Sequence, residues 1–330
     1  MRPFDLQRPD SLDHAHSLSD GETATLIAGG TNLLDLMKLQ VETPERLVAI
    51  DRLGMNAIEE TEDGGLRIGA LVTNTATANH DRIRSDYPLL ARAILAGATQ
   101  QLRNRATTGG NLCQRTRCYY FTNIDQPCNK RDPGSGCGAI DGIARLHGVL
   151  GTSPHCIATY PGDMAVAMSA LDAMVHIRTG EDTTRTVPVR EFHRLPGDMP
   201  SKDNVLEPGE LITGIELPPP SDAIANSEYR KVRDRSSYAF ALISVAGGLS
   251  LANGQVTQIR IALGGVAAKP WRASRAEHAL LGRAPTPDAF LAAIREELVD
   301  AQPLSGNAFK IGLVERTTVA VLTALAGANA

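Results

Sequence analysis

No run of apolar residues in this chain of 330 reaches the length of a membrane span, which excludes an integral membrane protein built on helices. Charge of one sign is also missing: the formal net charge is −4, so nothing electrostatic points to nucleic acid as a partner. The N-terminus, Met1-Arg2-Pro3-Phe4-Asp5-Leu6, has no basic segment followed by an apolar stretch, so the sequence leads us to expect no export signal in this chain. A partner that carries a signal can still export a subunit bound to it. The dinucleotide fingerprint G-x-G-x-x-G is absent from the first glycine-rich turn, and a Rossmann site is therefore not supported. Cysteine is scarce. Five in 330 residues are too few for a disulfide scaffold.

What is present belongs to a soluble globular protein, with 42% hydrophobic and 21% charged residues, and the length suits two or three domains. Thr25-Leu26-Ile27-Ala28 reads as a strand, Gly29-Gly30-Thr31-Asn32 as a turn and Leu33 to Leu39 as a helix; Leu47 to Ile50 then completes a βαβ-like unit. Further strands are predicted at Leu66–Val72, Val175–Arg178, Ala241–Leu251 and Gln258–Leu263, and helices at Tyr87–Gly97, Met164–Met174, Pro287–Val299 and Phe309–Leu325. Leu217-Pro218-Pro219-Pro220-Ser221 reads as a linker, because consecutive prolines stop both helix and central strand. This places a domain over 1–221, made of a part about 1–56 and a larger part about 57–221, and a second domain over 222–330.

The strand–turn–helix at 25–33 suits an anion, since glycine admits close approach and the helix start offers free N–H groups; an ordinary tight turn is the alternative. A second loop, Ala106-Thr107-Thr108-Gly109-Gly110-Asn111-Leu112, supplies hydroxyls, glycines and an amide in a row, a set suited to a pyrophosphate or flavin edge. Between about 103 and 161 the periodicity fails over a stretch too long for a plain connection, so a ligand or metal is expected to hold it.

All five cysteines fall within 113–156 of that stretch. Cys118, Cys128, Cys137 and Cys156 have the spacing C-x9-C-x8-C-x18-C, without the paired C-x2-4-C knuckles usual for structural zinc. Wide spacing suits a larger body wrapped by a loop, and Arg115, Arg117, Lys130, Arg131 and Arg145 would lower the cost of burying an anionic four-thiolate iron–sulfur centre. Zinc, disulfides and plain thiols stay open as alternatives. Cys113 sits in the second glycine-rich loop, either with its backbone toward a ligand or as a small side chain packed beneath the loop.

The segments 27–39, 101–121, 128–137, 156–168, 229–242 and 262–272 together resemble the FAD-binding subunit of the xanthine dehydrogenase and molybdenum-dependent aldehyde oxidoreductase family, and the resemblance spans essentially the whole chain. It implies an α+β, vanillyl-alcohol-oxidase-type (PCMH-type) FAD-binding fold with a C-terminal αβ domain. It implies that the 27–33 turn holds the FAD pyrophosphate, with Thr25 and Leu26 beside it. Thr107, Thr108, Gly110 and Asn111 would form the second contact loop, with Ile157, Asp163 and Lys231 as further flavin contacts. Read alone, Asp163 is a turn or cap residue and Lys231 a solvated charge. Plain family members have the G-G-N-L-C loop without the long cysteine insertion. The resemblance thus gives Cys113 to the flavin loop and Cys118, Cys128, Cys137 and Cys156 to an extra [4Fe–4S] cluster. The chain would relay electrons from a molybdenum-cofactor catalytic subunit and a [2Fe–2S] subunit, in a heterotrimer or its dimer, to an external acceptor. It would reach the periplasm by co-export, or else stay in the cytoplasm. A self-sufficient flavin oxidase of the same fold and a non-enzymatic zinc scaffold are the rival readings.

Overall fold

The computed structural model describes residues 1–21 and 23–328. Strands β1 (Asp5–Gln7), β2 (Ala24–Ile27) and β3 (Arg46–Ala49) form a parallel sheet in the order β1-β3-β2. The turn after β2 leads into a helix, Leu33–Lys38, whose Leu36 and Met37 face inward. The strand–turn–helix–strand reading of the sequence matches these elements to within a residue or two.

A second sheet is antiparallel, in the order β4-β5-β8-β6-β7, from β4 (Ile58–Glu60), β5 (Leu66–Gly69), β6 (Met174–Gly180), β7 (Thr183–Pro188) and β8 (Leu211–Leu217). Side chains of β5 alternate, with Leu66 and Ile68 buried and Arg67 exposed, as a half-buried strand requires. The strand predicted to run to Val72 stops at Gly69, where the backbone turns so that Leu71 N–H bonds Met55 O. Helices Pro88–Ala96 and Asp163–Ala170 pack on this sheet. Every residue of Asp163–Ala170 is buried, which accounts for its apolar run with no polar face. The helix predicted to reach Met174 ends at Ala170, two residues before Asp172 takes φ +54°.

The third sheet, order β12-β11-β10-β9, is antiparallel: β9 (Ser227–Val232), β10 (Ile243–Ala252), β11 (Gln255–Gly264) and β12 (Trp271–Arg272). Asn253 and Gly254, both at positive φ, make the tight β10–β11 turn. Helices Ser274–Leu280, Pro287–Glu297 and Phe309–Ala328 share its core. The apolar core does not break at the proline linker, since Ile224, Tyr229, Ala246 and Ala262 lie in the same cluster as the helix Asp163–Ala170. Gly264 makes that closeness possible: a Cβ there would stand 2.7 Å from Val166 Cγ2 and 2.3 Å from Ser244 Oγ.

Residues 123–162 contain no helix or strand, only the isolated bridges Cys128↔Cys137 and Ser153↔Cys156. The Arg131 guanidinium holds part of this stretch, donating from Nη1 to the carbonyls of Tyr120 (2.8 Å), Phe121 (2.8 Å) and Asn123 (3.0 Å) and from Nη2 to Gln126.

Candidate cofactor sites

The two glycine-rich loops meet in one cleft of about 240 Å³, lined by Thr25 to Leu33 on one side and by Thr107, Gly110, Cys113 and Arg115 on the other. The backbone N–H groups of Gly29, Gly30, Thr31 and Asn32 find no acceptor among the described residues, so this turn is a set of donors awaiting an anion. Gly30 needs its φ of +72°, and a Cβ on Gly29 would stand 2.0 Å from Arg105 O. Asn32 Oδ1 accepts the Arg115 N–H at 2.9 Å and so ties the loops together.

The second loop offers fewer donors than its sequence suggests. Thr108 Oγ1 is buried and donates to Val72 O at 3.0 Å, while Thr107 Oγ1 accepts from Gly110 N–H at 3.2 Å as a helix cap. The N–H groups of Thr108 and Gly109 bond Val72 O and Ala70 O. Asn111 Oδ1 is held by Gln114 Nε2 at 2.9 Å. Cys113 is exposed as a residue and lines the cleft, while the protein packed around its thiol pushes that group up to about 12. Ile157 lines neither this cleft nor the cavity around Asp163, being packed with Ala139 and Ala144 under the cysteine loop.

Asp163 lies on a second cavity of about 360 Å³, walled also by Arg117, Cys118, His147, Tyr160, Phe240 and Gly264. Two donors from β9 fix its carboxylate: Tyr229 Oη at 2.7 Å and Lys231 Nζ at 2.8 Å. Lys231 is therefore a buried ion-pair partner, not a solvated charge. Burial and the neighbouring Asp163 charge raise the Tyr229 pKa well above its ordinary value, so it stays a donor.

Cys118, Cys128, Cys137 and Cys156 all wall a third, smaller cavity, from which Cys113 is absent. All five thiols are free. The four surround a space; among the described residues no three His, Cys, Asp or Glu side chains converge as a site for a metal ion. Burial pushes the Cys118 thiol up to about 12, against the N–H groups of Phe121 and Tyr120 that favour the thiolate. Burial also raises Cys156, opposed by the Lys130 charge and by Ala158 N–H at 3.4 Å from Sγ. His147 Nε2 lies 3.1 Å from Cys118 Sγ.

The loop's cations are mostly engaged elsewhere, contrary to the expectation that they act together on the cysteines. Lys130 reaches Cys156 with its charge, yet its Nζ bonds Asp203 Oδ1 and Pro200 O, both at 2.6 Å. Arg115 pairs with Asp203 at 2.7 Å and with Glu42, and stacks on Phe121. Arg145 pairs with Asp234 at the surface, and Arg117 lies against Phe240. Sequence reasoning missed Asp203, Glu42, Tyr229 and His147, for their partners stand far away along the chain.

A family model for the FAD binding domain in molybdopterin dehydrogenase matches residues 2–220, and the CO dehydrogenase flavoprotein C-terminal domain matches 227–310. The chain belongs to the FAD-binding subunits of molybdopterin dehydrogenases. It is 52% identical to the aldehyde oxidoreductase FAD-binding subunit PaoB of Escherichia coli over 98% of both chains. It is 27% identical to the glyceraldehyde dehydrogenase medium chain of Sulfolobus acidocaldarius, over 85% of this chain and 82% of that one. A carbon monoxide dehydrogenase chain from Hydrogenophaga pseudoflava shares the fold with a TM-score of 0.75 and 27% identity, covering 98% of this chain and 97% of that one. The expected α+β, PCMH-type FAD fold with its C-terminal domain therefore stands, and this FAD-binding molybdopterin dehydrogenase subunit is part of an oxidoreductase.

Proposed function

We propose that this chain is the electron-relay subunit of a molybdenum-dependent aldehyde oxidoreductase and holds FAD together with a [4Fe–4S] cluster. Substrate would be oxidised at a molybdenum cofactor in one partner, and electrons would arrive through a [2Fe–2S] partner and leave to an external acceptor. When bound, FAD supplies electron exchange in steps of one or two.

The free N–H groups of Gly29 to Asn32 suit the pyrophosphate. Their cleft, at about 240 Å³, falls below the 300–1,000 Å³ of sites for drug-sized ligands, so a dinucleotide must extend beyond it. The cavity at Asp163, where Tyr229 and Lys231 orient the carboxylate, would take the rest, although the two linings share no residue.

The observation that carries the cluster is that four thiols, and not the fifth, line one cavity; at about 10 Å³ it has room for little more than a water, so the loop would have to open around a cluster. N–H donors at Cys118 and Cys156 and the charge of Lys130 favour thiolates, while burial of the two thiols works against them and would have to be offset by the iron. The likeness to PaoB supports the aldehyde-oxidising assignment.

Metal analysis and the absorption spectrum of the purified protein test this reading. About four irons and one FAD per chain are expected. Serine at Cys118, Cys128, Cys137 or Cys156 should remove the iron, and Cys113→Ser should keep it. Zinc in place of iron would support a structural scaffold, and aldehyde turnover by the isolated chain a self-sufficient oxidase; either would sink the relay reading.

A further inference from the structure

The cysteine cavity and the Asp163 cavity share a wall, and Cys118 is the cysteine that stands in it. Beside it is His147, a residue to which neither cofactor reading assigns a role. The residue is 2% exposed, and Nε2 lies 3.1 Å from Cys118 Sγ. The other ring nitrogen, Nδ1, is buried with no partner among the described residues.

With Cys118 as a thiolate ligand of the cluster, that asymmetry selects a tautomer. With the proton on Nδ1, a buried N–H would lack an acceptor, and the Nε2 lone pair would face the sulfur lone pairs of a thiolate. With the proton on Nε2, the N–H points at the sulfur and only an acceptor is left unpaired, the lesser cost. The backbone fixes the ring from behind. His147 O accepts Lys310 Nζ at 2.8 Å and Asn307 Nδ2 at 3.4 Å, both from fully buried residues, and His147 N–H bonds Ala144 O at 2.9 Å. The nearby Tyr120 ring, 6.2 Å away and tilted by 47°, limits its swing.

The geometry points to His147 as the hydrogen-bond donor that sets the reduction potential of the iron–sulfur cluster through Cys118. Hydrogen bonds to ligand sulfurs stabilise the more negative, reduced cluster and raise its potential. His147 is a positioning residue: it touches a ligand, not the iron. The inference rests on the cluster reading above.

The test uses the assembled complex, with iron analysis and an EPR-monitored redox titration of the [4Fe–4S] signal. His147→Phe keeps a ring and removes the donor; His147→Gln retains an amide N–H. The Phe variant should hold about four irons with its midpoint shifted downward, readable as a tenfold change in the oxidised-to-reduced ratio, about 59 mV for one electron. The Gln variant should stay near wild type. Iron loss confined to the Phe variant, with the Gln variant near wild type, also supports the donor role. Wild-type potential in the Phe variant, equal shifts in both variants, or iron loss from both would overturn it, the last marking His147 as packing alone. Wild-type protein without iron would instead overturn the cluster reading itself, so the two failures are distinguishable.

Discussion

Asp203→Asn is the substitution whose effect should spread furthest, because one carboxylate holds Arg115 and Lys130 together. Arg115 reaches on to Glu42 and Asn32 beside the first glycine turn, while Lys130 lies between two cysteines of the cavity loop. The Lys130 side chain is 4% exposed, and that of Asp203 25%. Removing one member of a buried pair costs about 3–5 kcal/mol, chiefly through the charge left behind. Water around Asp203 softens the loss, and the amine keeps its bond to Pro200 O, so about 3 kcal/mol is expected. In a chain of this length that lowers Tm by about 5 °C, measured by calorimetry at pH 7.

The pH dependence gives a second check. Burial opposes ionisation of Asp203, but the charges of Arg115 and Lys130 outweigh it and hold the pKa below 3.8. A carboxyl with a depressed folded pKa contributes stability that is fully present above its unfolded value and is lost as pH falls through the folded one. The Tm gap between wild type and variant should therefore be constant above about pH 5 and close as the pH drops below 3.8. A variant that melts with wild type at pH 7, or a gap that widens in acid, refutes the electrostatic role of Asp203.

Gly29→Ala forces a methyl to within 2.0 Å of Arg105 O, so the turn must shift; FAD retention, read by fluorescence after gel filtration, should weaken by about tenfold or more, and undiminished FAD would place the pyrophosphate elsewhere. Lys231→Ala leaves the Asp163 carboxylate buried with only Tyr229 as a side-chain donor, for a loss of about 3 kcal/mol in denaturant unfolding; a loss below about 0.5 kcal/mol would show the pair to be dispensable. Arg131→Ala removes donors to the carbonyls of Tyr120, Phe121 and Asn123, so limited proteolysis should cut the 119–131 segment faster than in wild type. Equal cutting rates would mean that another contact holds that segment.

Local pattern made the strand–turn–helix at 25–38 legible, because a short apolar run, two glycines and a helical repeat each leave a mark within a few residues. The cysteine grouping was legible for a similar reason: reactive residues bunched in one window stand out without knowledge of the fold. What spacing could not show is where side chains turn. Thr107 and Thr108 look alike in sequence, yet Thr107 caps a helix beside the cleft and Thr108 points into the core. The cations of the loop looked like a single positive field, but the partners that claim them, Asp203 and Asp234, come from segments with no periodic relation to the loop. Read without the family resemblance, Lys231 looked like a solvated charge, because its partner, Asp163, is brought to it only by the packing of β9 on another layer.

Gly264 removes the slack between β11 and the helix Asp163–Ala170, since there is no room even for a methyl group between strand and helix. Layers packed this closely resist sliding more than modules joined by a thin polar seam. Gly264 and Asp163 both line the Asp163 cavity, so its wall is shared between the two matched family regions. A residue larger than glycine at 264 would have to part the two layers, because the Val166 and Ser244 side chains already fill the space its Cβ would take.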